Sequence, residues 1–210
     1  MERGCKGDQG ARVRIFISGP SGVGKSTIIA EVLKHNPDFI LSISYTTRLP
    51  RPGERDGRDY FFVPRETFEE MRAHGAFLEW AEVHAHLYGT SLEWVDSRER
   101  EGLNVLFDID VQGVSQALAK GSPGRSVLIV PPRWEDLSRR LENRGTEAPE
   151  SLSLRLENAK QELLQWPLFD YLVINETVAH ATHTINAIIH ACRNERDETI
   201  RRLPWLSGIA

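Results

Sequence analysis

Nine consecutive residues, Gly19-Pro20-Ser21-Gly22-Val23-Gly24-Lys25-Ser26-Thr27, carry the spacing G-x-x-x-x-G-K-[ST]. Glycines at these points let the backbone curl until successive N–H groups converge on an anion. Lys25 can reach the β- and γ-phosphates of a nucleotide, and the Ser26 hydroxyl can ligate Mg²⁺. The stretch therefore reads as a phosphate-binding loop. By itself it does not say which phosphate moves, or to what.

Other side chains suit the same chemistry. Asp108 ends the apolar run Val105-Leu106-Phe107, and a carboxylate delivered by a strand can join the shell of a phosphate-bound Mg²⁺. Such an aspartate can also cap the next helix, and Asp110 suits either part. Arg48 and Arg51 flank Pro50, with Pro52 beyond. Guanidiniums on a proline-stiffened loop suit a phosphate, which arginine grips bidentately. Arg140 and Arg144 lie four apart on an expected helix, and Arg155 follows across a Gly145–Pro149 break. Cations on such a flap fit a closing lid that neutralises a transferring phosphoryl group. Glu79 lies among apolar neighbours, shortly before Tyr88-Gly89-Thr90. Its two acceptor oxygens match the adjacent N1–H and N2–H₂ donors of guanine, a pair that adenine lacks.

These groups need a scaffold. Val13–Ile17 reads as a strand before the loop, and Ile28, Ile29, Val32 and Leu33 mark one helix face after it. Strands are expected at 39–43, 58–63, 77–83, 104–109, 126–130 and 171–174. Helices are expected at 67–74, from Ser91 to Gly102, up to Lys120, at 134–143, through Leu152, Leu156, Ala159 and Leu163, and at 177–192. Strands alternating with helices predict a parallel α/β sheet flanked by helices. Two stretches break the alternation: a small mixed α+β insertion at 42–93 and a helical one at 133–165. The core would then comprise 1–41, 94–132 and 166–210, with 1–12 a loose tail.

Composition excludes several classes. The net charge of −4 offers no basic excess for general nucleic-acid binding. Two cysteines, Cys5 and Cys192, make no disulfide framework and fit a reducing cytoplasm. No run is long enough for a membrane span. Among the scattered histidines, His180 and His183 lie one helical turn apart and His84 and His86 alternate near Tyr88, but no third metal ligand is evident. Trp94, Trp134, Trp166 and Trp205 read as packing residues.

In sequence order, Ser42–Glu54 with Arg48 and Arg51, Gly57-Arg58-Asp59-Tyr60, Phe77-Leu78-Glu79-Trp80-Ala81, Tyr88-Gly89-Thr90, Asp108-Ile109-Asp110-Val111-Gln112-Gly113, and Pro131-Pro132 followed by Arg140, Arg144 and Arg155 closely resemble the guanylate kinase signature. The resemblance runs from about Val13 to Cys192. It implies a P-loop kinase with a core, a nucleoside-monophosphate-binding insertion and a lid. The implied reaction is ATP + GMP → ADP + GDP with Mg²⁺, in purine nucleotide metabolism, with dGMP as a further acceptor. Arg48, Arg51, Tyr60 and Tyr88 would hold the GMP phosphate. Glu79, Ser44 and Thr90 would read guanine, and Asp108 would lie between guanine and the metal. Lys25, Arg140, Arg144 and Arg155 would stabilise the transferring group. Thr90 stands where the family often has Ser, and Asn143 where Gly is common. The implied partners are two small nucleotides, with no nucleic acid and no membrane, and either a monomer or a homo-oligomer is compatible. The competing readings are a kinase for another phosphorylated acceptor such as ribose 1,5-bisphosphate, a phosphopeptide-binding module of the same fold, and a GTP-hydrolysing switch.

Overall fold

The computed structural model describes residues 12–83, 85–143 and 149–195, with 199, 200, 203 and 205 of the C-terminal segment. The expected tail up to residue 11, Arg144 and residues 145–148 of the expected break lie outside the described residues. The chain opens with β1 (Arg14–Ser18), α1 (Lys25–His35) and β2 (Phe39–Leu41). There follow β3 (Tyr45–Thr46), β4 (Phe61–Phe62), α2 (Arg65–Ala73), β5 (Phe77–Val83) and β6 (His86–Ser91). Next come α3 (Leu92–Arg100), β7 (Asn104–Asp108), α4 (Val111–Ala119) and β8 (Arg125–Val130). The chain continues through α5 (Trp134–Asn143), α6 (Pro149–Leu164), a 3-10 turn at Trp166–Leu168, β9 (Tyr171–Ile174) and α7 (Val178–Arg193).

The expected parallel sheet is present, in the order β2-β7-β1-β8-β9. Its alternation sorts the core. Ile15 and Ile17 face a cluster with Ile28, Val32, Ile185 and Ile189 of α1 and α7. Phe16 and Phe107 face the other side, with Val95 of α3 and Val114 of α4. Successive strand residues point to opposite faces, so a sheet covered on both sides needs apolar residues throughout. β1 and β7 run in register with Ile17 opposite Asp108. The loop after β1 therefore emerges beside that carboxylate, at the carboxyl ends of the strands, where open α/β sheets bind ligands.

A second sheet, in the order β4-β3-β6-β5, is built from the chain between β2 and α3. It has its own small core of Phe68, Phe77 and Leu87. Phe68 and Phe77 stack at 4.4 Å between ring centroids, and burying each contributes about 2–3 kcal/mol.

The second sheet departs from the expected elements. The strand expected at 58–63 shrinks to β4, with one isolated bridge between Asp56 and Tyr60. Turn chemistry holds the preceding residues: Asp59 accepts from Arg55 N at 2.8 Å, and Gly57 is left-handed at φ 71°. β3 falls in a stretch of turn composition, and β6 was not anticipated. β6 pairs antiparallel with β5, and Gly89 permits the approach. A Cβ there would stand 3.0 Å from both Glu79 O and Phe77 Cδ1. Of the tryptophans, Trp94 packs on the second core cluster, whereas Trp134, Trp166 and Trp205 are exposed. Among the described residues, no helix is long and apolar enough to cross a membrane.

Candidate active site

The phosphate loop is shaped by its glycines and by what they touch. Gly22 and Gly24 are left-handed, at φ 83° and 98°. A Cβ on Gly19 would stand 2.7 Å from Ile129 O, and one on Gly24 2.7 Å from Asn175 Nδ2. Val23 N donates to Pro20 O at 3.0 Å, which closes the turn. α3, α4 and α7 are capped by the side chains of Ser91, Asp110 and Thr177. α1 begins at Gly24 with no side-chain cap and no acidic residue in its first turn. Its N-terminal N–H donors and its positive dipole end are thus left for an anion.

Lys25 Nζ lies 2.8 Å from Asp108 Oδ1, so loop and strand end meet as an ion pair. Asp110, the residue with two expected parts, caps α4 by accepting from Gly113 N at 2.7 Å. Ser26 and Thr27 are exposed at the start of α1.

Two clefts open here, one beside the loop and one beside the strand end. One, of about 470 Å³, is lined by Gly22, Gly24, Arg140, Asn175, Glu176, Thr177 and Val178. Arg140 Nη1 donates to Val23 O at 3.3 Å, and Asn175 Nδ2 donates to the same oxygen at 2.6 Å. Leu137 and Leu141 of α5 are buried in the main core, and a Cβ on Gly22 would stand 3.0 Å from Leu141 Cδ2. The helix carrying Arg140 is therefore seated on the phosphate loop. Arg155 lies on α6 and lines neither of these two clefts.

The other cleft, of about 330 Å³, is lined by Ser44, Arg48, Arg51, Tyr60, Glu79, Ala81, Val83, Tyr88, Asp108, Ile109 and Asp110. It gathers every residue of the expected acceptor set except Thr90. Thr90 is buried behind the wall, where its hydroxyl donates to Glu79 Oε1 at 2.6 Å and stands 3.4 Å from the Ser44 hydroxyl.

At one end of this cleft, Arg48 is held on all sides. Its terminal nitrogens donate to the two Glu54 oxygens at 3.0 and 2.9 Å, and its Nε to Tyr88 Oη at 3.3 Å. Its guanidinium lies 5.3 Å from the Tyr60 ring centroid, a cation–π distance. Glu54 also accepts from Arg51 N at 2.7 Å, which folds 48–54 into a compact turn. The hydrogen bond to Glu54 raises the Arg48 pKa, and that to Arg48 lowers the Glu54 pKa, so both stay charged. At the other end, Glu79 is only 4% exposed. Burial pushes its carboxyl up to about 7, the Thr90 hydrogen bond opposes that, and nearby Asp110 adds to it. The sequence pattern sets Glu79 opposite Leu78 and Trp80, on a face free to be solvent-exposed; the structure buries it because α4 covers that side.

Four residues carry roles that the sequence reading did not assign: Glu54 and Gly113, which stand in the quoted motifs without a part of their own, and Gln116 and Asn175, which stand in none. A carboxylate three residues after Arg51 was a usable signal for Glu54. Asn175, at the end of a strand far along the chain, offered none.

The guanylate kinase family model matches residues 11–192. The guanylate kinase of Thermotoga maritima is 45% identical over 185 residues, covering 88% of each chain. That of Thiobacillus denitrificans is 40% identical over 196 residues, covering 93% of this chain and 94% of the relative. Among solved structures, the guanylate kinase from Anaplasma phagocytophilum is similar with a TM-score of 0.69 at 28% identity, over 89% of this chain and 88% of that one. With the phosphate loop, the Lys25–Asp108 pair and the arginine–tyrosine cleft in place, these likenesses converge: the chain belongs to the guanylate kinase family.

Proposed function

We propose that the two clefts joined by Lys25 and Asp108 divide the work of a guanylate kinase between donor and acceptor. The chain transfers a phosphoryl group from ATP to GMP, giving ADP and GDP. dGMP, which keeps the same base and phosphate, is a second acceptor. The observation that carries the residue assignment is the acceptor cleft, which has phosphate-gripping groups at one end and a buried carboxylate at the other.

In this reading Arg48, Arg51, Tyr60 and Tyr88 hold the GMP phosphate, and Glu54 sets the Arg48 guanidinium in place. Ionised Glu79 accepts from guanine N1–H and N2–H₂, while Ser44 and Thr90 set the hydroxyl network beside it. The curled loop at 19–27 holds the ATP phosphates, with Lys25 on the β- and γ-phosphates. Residues 42–93 form the GMP-binding insertion and 133–165 the lid, on a core of 1–41, 94–132 and 166–210. Arg140, Arg144 and Arg155 supply lid charge to the transferring group. A GMP phosphate oxygen bonds to the γ-phosphorus as the bond from that phosphorus to the β–γ bridging oxygen breaks. ADP leaves with those electrons. The acceptor is already an anionic oxygen, so no protein nucleophile or strong general base is required; positioning and charge neutralisation carry the rate.

Mg²⁺ fits the donor set. Ser26 offers an exposed hydroxyl and Asp108 a carboxylate 34% exposed. Among the described residues there is no cluster of three or more His, Cys, Asp or Glu that would form an all-protein cage. Mg²⁺ takes one or two protein ligands, with waters and phosphates completing its shell. When bound, it would neutralise charge shared by the β- and γ-phosphates. The reaction belongs in the cytoplasm, where both nucleotides are available. Purified chain given ATP and Mg²⁺ is expected to consume GMP far faster than AMP, UMP or ribose 1,5-bisphosphate in a coupled ADP assay. Equal turnover of AMP and GMP contradicts the part given to Glu79.

A further inference from the structure

Helix α4 grips the base-reading strand at three levels. Trp80 N donates to Gln116 Oε1 at 3.1 Å, and Gln116 Nε2 donates to Trp80 O at 2.6 Å. One side chain thus occupies the β5 backbone as a neighbouring strand would. Lys120 Nζ donates to Phe77 O at 2.7 Å. Between these ties, Gly113 faces the Glu79 carboxylate so closely that a Cβ would stand 2.8 Å from Oε2 and 3.3 Å from Ile109 Cβ. The other carboxylate oxygen takes the Thr90 hydroxyl at 2.6 Å. Glu79 is thereby fixed between a hydroxyl on β6 and a bare Cα on α4.

Gly113 has no left-handed φ that would call for glycine. Helix interiors favour alanine over glycine. Its value here comes from the space it leaves to the carboxylate. We propose that Gly113 determines acceptor specificity, by setting the depth at which the Glu79 carboxylate meets guanine, with Gln116 as the positioning residue for the strand. The inference rests on the assignment of Glu79 to the base.

In a Gly113→Ala variant, the new Cβ meets the far end of the Glu79 side chain at 2.8 Å, which can swing away, and Ile109 Cβ at 3.3 Å, which must give by a few tenths of an ångström. The chain folds, because the helix propensity gained by alanine offsets the small shift that Ile109 must make. kcat/KM for GMP falls about ten- to hundredfold, the loss of a hydrogen bond to a charged group. The loss appears in KM for GMP and not in KM for ATP. The preference for GMP over IMP falls with it, because IMP lacks the 2-amino donor. Gln116→Ala raises KM for GMP in the same direction. In a Glu79→Ala background, Gly113→Ala adds nothing, since no carboxylate remains to displace. A folded Gly113→Ala enzyme with wild-type KM for GMP and an unchanged GMP/IMP ratio overturns the inference, as do equal losses in both backgrounds. If Glu79→Ala alone leaves the GMP preference intact, the reading of Glu79 fails and the inference falls with it.

Discussion

In the proposed reading, the two halves of the site would grip phosphate in different ways. On the donor side the backbone would do the work: left-handed glycines shape the loop, and the uncapped start of α1 leaves N-terminal N–H donors for an anion. On the acceptor side the work is done by side chains that hold one another, Arg48 by Glu54 and Tyr88, and Glu79 by Thr90. A backbone cradle needs small residues at fixed spacing and little else. A side-chain site needs partners from several elements, so its geometry depends on the whole second sheet and on α4. Damage should therefore be local and severe on the donor side, graded and separable on the acceptor side.

Lys25 tests the donor side. Lys25→Met keeps length and apolar bulk but removes the only charge the loop itself contributes. We expect kcat to fall by about a thousandfold or more, with KM for GMP nearly unchanged. Single-turnover kinetics would expose the loss, and a kcat near wild type would sever the loop from the chemistry.

Glu79→Gln comes next, with two effects of opposite sign. The amide keeps the shape but cannot accept from both guanine donors, so kcat/KM for GMP falls about a hundredfold. Stability moves the other way. The buried carboxyl titrates near 7 against an ordinary value of 4.5. The folded chain therefore binds more protons than the unfolded chain between those values, and this group costs stability as pH rises through that window. Above pH 7 the full cost applies, so Glu79→Gln is more stable than wild type there by up to about 3 kcal/mol. The gap closes towards pH 4. Thermal melts at pH 5 and pH 8 would reveal it, and a variant no more stable at pH 8 would contradict the burial cost.

The smallest effect belongs to Glu54. Glu54→Gln leaves the turn but weakens the hold on Arg48, and KM for GMP should rise about three- to tenfold with kcat kept. A fall in KM would mean that Glu54 competes with the phosphate instead of orienting its ligand.

The same contrast explains what the sequence made legible. The loop, the strands of the main sheet and Asp108 were readable because strand–turn–helix units are local: periodicity and glycine spacing carry them. The Arg48–Tyr60–Tyr88 cluster was readable through resemblance, since nothing local links residues forty positions apart. β3 and β6 were not read. β3 lies in a stretch of turn composition, and β6 contains Gly89, whose missing Cβ weakens the strand pattern while permitting the pairing. The burial of Glu79 was also hidden, because the helix that covers it begins thirty-two residues later, at Val111.

The central claim is that ionised Glu79 reads guanine. The direct measurement is the pH profile of kcat/KM for GMP, in wild type and Glu79→Gln side by side. The GMP phosphate titrates near 6 in both, so the difference between the profiles isolates Glu79. The account predicts that wild type loses efficiency about tenfold per pH unit below about 7 relative to the variant, because guanine N–H donors need the charged carboxylate. Two profiles of the same shape would contradict it.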